Sequence, residues 1–189
     1  TFGSSGRALL DLGANSSDYA YSVVTQTDGK ILIAGYTDAQ PAGGTGTSTN
    51  YGVVRLNANG TLDTTFGSSG KALLDLGANT IDALYYSPPV LQADGKILIA
   101  GYTTAQPAGG TGISSNYAVV RLNANGTLDT TFGDLVGSSR TGKALLDLGA
   151  NTNDKAYSVV TQTDGKILIA GNTTAQPAGN TGTSTNYGV

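Results

Sequence analysis

The stretch "TDGKILIAG" occupies residues 27–35 and returns letter for letter at residues 163–171, with "ADGKILIAG" between them at 93–101. Packing a strand demands only apolar size and pattern, so three near-identical copies mark a repeated unit. Working outward, "TFGSSGRALLDLGAN" at residue 1 matches "TFGSSGKALLDLGAN" at 65 and "TFGDLVGSSRTGKALLDLGAN" at 131, a period of about 64 to 70 residues. The length differences are confined to six residues or so after Gly133 and about two within "ALYYSPPVLQADGK", both beside turns, where added chain costs little.

One period holds four strand candidates, each bounded by turn residues. Residues 19–26, "YAYSVVTQ", lead through an Asp-Gly turn, expected as a two-residue hairpin, into residues 30–37, "KILIAGYT". A long loop follows, then "NYGVVRLN" at 50–57 and "KALLDLG" at 71–77. Three of these runs are apolar over consecutive positions, which implies strands covered on both faces. Four antiparallel strands buried between neighbours make a β-propeller blade; a β-solenoid has shorter coils and needs no Asp-Gly hairpin in each turn. The fold class is therefore all-β, about three propeller-type repeats in a single repeat domain. It is divided as an incomplete blade's outer strand (1–17), two blades (18–81 and 82–153) and a further incomplete blade (154–189).

Composition agrees. Gly is 28 of 189 residues, about twice its ordinary share, while charged residues are 12% and every acidic residue is Asp. Helix formers are scarce; strand and turn formers are abundant. The net charge of −3 gives no basic footprint, so neither nucleic acid nor an anionic membrane surface is an expected partner. No apolar run reaches the length that crosses a bilayer as a helix. Cys, His, Met, Trp and Glu are all absent, which removes thiol and imidazole catalysis, Cys/His zinc sites and paired acid–base roles. We expect no enzyme and no cofactor. The absence of an initiator Met reads as a processed product or a fragment, and nothing oxidisable in a Thr/Ser/Asn/Gly-rich surface suits an exposed bacterial protein, outside the cell or on its surface.

The order "DGKILIAG", "NYGVVRLNANGTLDTTFG", "GKALLDLG" resembles the delta-60 repeat, a bacterial propeller-type repeat with a DGKI-VAG core and an RLN-DGSLDTTFG tail, and more distantly NHL-type blades. The resemblance covers essentially the whole chain and implies a surface or secreted context. The longer loop "DAQPAGGTGTSTN" and the "SPPV" at 87–90 depart from it. An NHL-like order makes "YSVVTQ" the innermost strand and "KALLDL" the outermost. The chain then opens on an outer strand (7–12) and closes on the first three strands of a blade (156–189). These ends are complementary, so self-association by strand addition is expected, as a ring or a filament.

The loop from Tyr36 to Tyr51, with counterparts at 102–117 and 172–187, is the candidate binding element: a polar surface loop between tyrosines that could stack on surface glycans. Its candidate residues are Tyr36, Gln40, Thr45, Asn50, Tyr51, Tyr102, Gln106, Asn116, Tyr117, Gln176, Asn186 and Tyr187; the competing role is packing between blades or subunits. "NANGTLD" offers Asn57, Asn59 and Asp63, then Asn123, Asn125 and Asp129, as a calcium alternative, although calcium wants more carboxylate. Otherwise these are Asn-Gly turns. Asp28, Asp94 and Asp164 belong to the hairpin turns. Arg55 and Arg121 are expected to form exposed ion pairs with Asp63 and Asp129, contributing little. The acceptor patterns at Asn15, Asn59, Asn125 and Asn172 are what an Asn/Thr-rich chain produces by chance.

Overall fold

The computed structural model describes every residue except 43–45, 47, 109, 111 and 180–183, and the described residues are all-β. Sheet 1 runs β1 (Asp18–Thr25), β2 (Ile31–Thr37), β3 (Asn50–Leu56) and β4 (Lys71–Leu74), antiparallel and in chain order. This is the expected blade. Sheet 2 contains β5 (Asp82–Ala83), β6 (Val90–Leu91), β7 (Ile97–Thr103) and β8 (Asn116–Leu122). The extra residues after Gly133 form a small exposed hairpin, β9 (Leu135–Val136) with β10 (Ser139–Arg140), before β11 (Lys143–Leu146) completes the sheet. Sheet 3 has β12 (Asp154–Thr161), β13 (Ile167–Thr173) and β14 (Asn186–Gly188).

Three expectations are corrected in detail. The hairpin loop has three residues: Gln26 N–H donates to Lys30 O at 2.7 Å, and only Gly29 has positive φ, +81°. Asp28 instead accepts the Lys30 N–H, so it braces a turn that Gly29 alone reverses. In sheet 2 the first strand is split, because β5 and β6 both pair with β7 around residues 84–89, where Pro88 and Pro89 have no N–H to give a ladder. Residues 7–12 form no strand: Arg7 bridges only Ser4, and Leu9 is 95% exposed. A strand needs a ladder, and no third strand lies beside this segment among the described residues.

The core lies between the sheets. Leu32, Ala34, Tyr51 and Val53 from sheet 1 pack with Leu84, Ile97, Ile99 and Val120 of sheet 2. The other face of sheet 2, Leu98, Ala100, Tyr117 and Val119, packs with Ala156 and Val159 of sheet 3. Both faces of β7 are thus covered, and all seven of its residues are buried. That explains why "ILIAG" is continuous rather than alternating.

The repeat boundary in sequence is offset from the boundary in space. Phe66 is fully buried and Gly67 N–H donates to Asn125 O at 2.7 Å, so the tail after β3 plugs onto the β8 turn of the following sheet. Gly3 and Asn59 repeat this contact at 2.7 Å. Gly126 is required there twice over: its φ is +84°, and a Cβ would stand 2.7 Å from Gly67 N and 2.8 Å from the Phe66 ring. Gly126→Ala is expected to cost about 2–3 kcal/mol. Gly29→Ala, whose Cβ would meet only Ala58 at 3.4 Å, should cost about 1 kcal/mol. Urea denaturation of the two variants measures the difference.

Candidate functional site

The loops after β2 are laced by their own amides. Gln40 Nε2 donates to Ser48 O at 2.8 Å and Asn50 Nδ2 to Ala39 O at 2.9 Å. Gln106 with Ser114 O and Asn116 with Ala105 O repeat the pattern in sheet 2, at 3.0 and 2.9 Å. Gln176 with Ser184 O and Asn186 with Ala175 O repeat it in sheet 3, both at 2.8 Å. Thr45 lies outside the described residues. The recurring Gln and Asn side chains therefore clamp the loop stem, with Asn50 and Asn116 fully buried.

The flanking tyrosines divide by position. Tyr51 and Tyr117 are buried knobs that reach the neighbouring sheet, where their hydroxyls donate to Tyr102 O at 3.3 Å and Gly188 O at 3.0 Å. Burial pushes the Tyr117 phenol up to about 12. Tyr187, at the equivalent position of sheet 3, is 97% exposed. Tyr36 and Tyr102 join an aromatic row crossing the sheets: Tyr19 stacks on Tyr36 at 4.8 Å, Tyr21 meets Tyr85 edge-on at 4.9 Å, and Tyr85 stacks on Tyr102 at 5.9 Å. Lys155 Nζ caps the row 4.7 Å from the Tyr102 ring centre. Burial, with the neighbouring Tyr21 and Tyr85 hydroxyls, raises the Tyr36 phenol well above its usual range. Tyr86, 73% exposed and at φ +59°, projects beside this row. Such a backbone conformation is rare for a bulky residue and marks a constrained turn.

The "NANGTLD" oxygens are engaged internally. Asn59 Oδ1 accepts from the Thr61 N–H and hydroxyl at 3.1 and 2.7 Å, and Asn57 Nδ2 donates to Thr61 and Leu62. Asn123 and Asn125 reproduce this around Thr127. No group of three or more acidic side chains converges on a cation position among the described residues. Asp28, Asp94 and Asp164 stand on exposed turns, each beside the lysine two residues on.

The Arg55–Asp63 pair corrects the expectation of an exposed ion pair. Arg55 Nε lies 2.7 Å from Asp63 Oδ2 with both side chains buried, Nη1 donates to Ala124 O of the next sheet at 2.6 Å, and the guanidinium lies 4.7 Å from the centre of the Phe66 ring. The pair is covered because the following sheet's turn closes over it. Arg121 and Asp129 pair in the same way at 2.6 Å with Phe132 beneath, but Arg121 is only part-buried and donates to Asp129 and Thr131 of its own sheet's tail. The Thr65 hydroxyl, aided by Thr65 N–H, Lys30 and Arg55 and opposed by burial, holds the Asp63 carboxyl well below the usual carboxylate range. For Asp129, burial pulls upward but Thr131 and Arg121 outweigh it, and its carboxyl is also lowered. Both groups bind protons less readily folded than unfolded. Their stabilisation is complete above the ordinary Asp value near 4 and fades as pH falls below it. Urea midpoints at pH 7 and pH 3 should therefore drop on acidification, with a smaller drop in Asp63→Asn.

A second recurring carboxylate was missed. Asp18, Asp82 and Asp154 each accept the backbone N–H of a leucine in the preceding segment, Leu12, Leu76 and Leu148, at 2.9, 2.7 and 2.8 Å. Each also accepts a threonine hydroxyl at the end of the second long strand: Thr37, Thr103 or Thr173. Asp82 and Asp154 thus clasp successive sheets, and Asp18 holds the segment before β1 against sheet 1 in the same way. Burial raises the Asp82 carboxyl, which its hydrogen bonds from Thr103 and Leu76 only partly offset. The signal was available in the recurrence of "SSDYA", "TIDAL" and "TNDKA", but its partners are separated along the chain.

The family described as "Domain of unknown function (DUF5122) beta-propeller" matches residues 26–66, 92–132 and 162–186. No curated protein matches the chain. The matched segments each start at the glutamine before a hairpin turn, and the first two end on the buried or half-buried phenylalanines, Phe66 and Phe132. With three antiparallel sheets of the same order and matches over more than half its residues, the chain belongs to this beta-propeller family of unknown function.

Proposed function

We propose that the chain is a non-enzymatic structural or adhesive repeat protein of delta-60 type, placed outside a bacterial cell or on its surface, whose copies associate head to tail into a ring or filament. One observation carries this reading: positions buried in the middle sheet are exposed on the outer faces of the terminal sheets. Leu98 is fully buried, and its counterpart Leu168 is 43% exposed. Electron microscopy of the native protein with light scattering tests it. Rings or filaments support it, and single three-bladed particles at every concentration overturn it.

Carbohydrate binding is the second reading, favoured by the exposed edge of the aromatic row at Tyr19 and Tyr86. Flat tyrosine faces suit the apolar faces of sugar rings. A glycan array comparing the native chain with Tyr86→Ala decides this: binding lost in the variant supports it, and no glycan retained by either chain ends it.

A further inference from the structure

The repeats are near copies, yet they differ at a pair of positions that oppose each other across neighbouring strands. Tyr19 opposes Tyr36 in sheet 1, Ala83 opposes Tyr102 in sheet 2, and Lys155 opposes Asn172 in sheet 3. The "ILIAG" leading to the second member of each pair is identical in all three. Sheet 2 adds a further difference beside the first member, the "YYSPP" of residues 85–89, which carries the exposed Tyr86. These varied positions meet in space, in the aromatic row.

The row offers continuous ring faces and one charge. Tyr21 lies 5.7 Å from both Tyr36 and Tyr86, while Tyr85 lies 5.8 Å from Tyr36 and 5.9 Å from Tyr102. Ala83 is too short to cover Tyr102, and Lys155 of sheet 3 lies over that ring instead. Among the described residues every other lysine holds an oxygen. Lys30, Lys96 and Lys166 pair with aspartates, and Lys71 and Lys143 donate to the carbonyls of Asp11 and Asp75. Lys155 has only the tyrosine face.

The phenols of the row are also short of acceptors. Tyr51 and Tyr117 donate to backbone carbonyls, whereas the hydroxyl neighbours of Tyr36 are those of Tyr21 and Tyr85, and Tyr102 faces that of Tyr85. A phenol has one O–H to give, so an open row without a carbonyl acceptor keeps a donor for a ligand. Burial, with this mutual proximity, raises the Tyr36 and Tyr102 phenols well above their usual range, so they stay protonated. The carboxylates one residue before the varied positions, Asp18, Asp82 and Asp154, point to the opposite face of their strands and accept leucine N–H groups there.

We infer that the row is a binding site for a sugar chain bearing carboxylate groups. Sugar rings lie along the tyrosine faces from Tyr86 towards Tyr36, and one carboxylate is taken by the Lys155 ammonium and a neighbouring phenol O–H. A carboxylate suits this pairing because it presents two oxygens, one for each donor. The chain's net charge of −3 disfavours anions at long range, so retention of an acidic glycan reports these local groups and not bulk attraction.

This inference rests on the carbohydrate reading, and the experiment separates the two. An array presents carboxylate-bearing oligosaccharides of several backbones, each beside its neutral methyl ester, together with sulfated glycans. The native chain should retain acids over their own esters, a comparison that needs no variant. Lys155→Gln should weaken retention of the acids by about tenfold or more, leave the esters unchanged, and be rescued by Lys155→Arg. Thermal unfolding of each variant checks that it is folded. Equal retention of acid and ester, a preference for acids that survives Lys155→Gln, or retention of sulfated glycans alone overturns this site and leaves carbohydrate binding standing. No glycan retained by the native chain overturns both.

Discussion

Replacing Tyr51 with alanine is expected to lower the unfolding free energy by about 3–5 kcal/mol, read as a shift in the urea midpoint at unchanged slope. Tyr51 is wholly buried between sheets 1 and 2, with its hydroxyl on Tyr102 O. Truncation removes the ring from a site already closed by Ala83, Leu84 and Gly101, where backbone lies too near to collapse inward. Tyr51→Phe keeps the ring and loses one neutral hydrogen bond, so it should cost about 1 kcal/mol. Tyr187→Ala, the same change at the equivalent position, should cost the isolated chain almost nothing, since the residue touches little. The ordering of these three is the test; a Tyr51→Ala cost below that of Tyr51→Phe would contradict the packing.

Asp63→Ala is expected to cost about 3–5 kcal/mol, far more than a surface ion pair. The loss leaves the Arg55 guanidinium buried over Phe66 without its carboxylate. Thr65 also loses an acceptor for both its hydroxyl and its N–H. The double variant Arg55→Leu/Asp63→Ala should recover part of the loss, because no unpaired charge then remains inside. A double-variant cycle by urea denaturation at pH 7 measures this. Additive single effects would mean that the two side chains act independently, contrary to their 2.7 Å contact.

The strands were legible because their information is local. Asp28-Gly29 before "KILIAG" specifies a reversal and a doubly covered strand within a few residues, and sheet 1 has the anticipated order. The family match rests on the same stretches. What escaped depends on the neighbouring sheet. Tyr51 and Tyr187 occupy the same sequence context, yet one is a buried knob and the other is exposed, and only the presence of the next sheet distinguishes them. Arg55 and Asp63 read as a surface pair until the turn carrying Ala124 is laid over them. The Asp82 clasp escaped similarly, since Leu76 and Thr103, which it joins, lie on either side of it in separate elements. The loop amides at Gln40 and Asn50 looked like ligand groups because exposure and self-bonding leave the same composition in sequence.

The plug formed by Phe66 and Gly67 has a consequence for how the molecule comes apart. Those residues lie between β3 and β4 of sheet 1 in sequence but pack against the turn of sheet 2. A sheet cannot therefore melt without uncovering its neighbour, and the cooperative unit is the junction, not the sequence repeat. Stability should rise with each junction added, as in one-dimensional arrays with nearest-neighbour coupling, and a 64-residue unit cut at the repeat boundary should be unable to fold by itself.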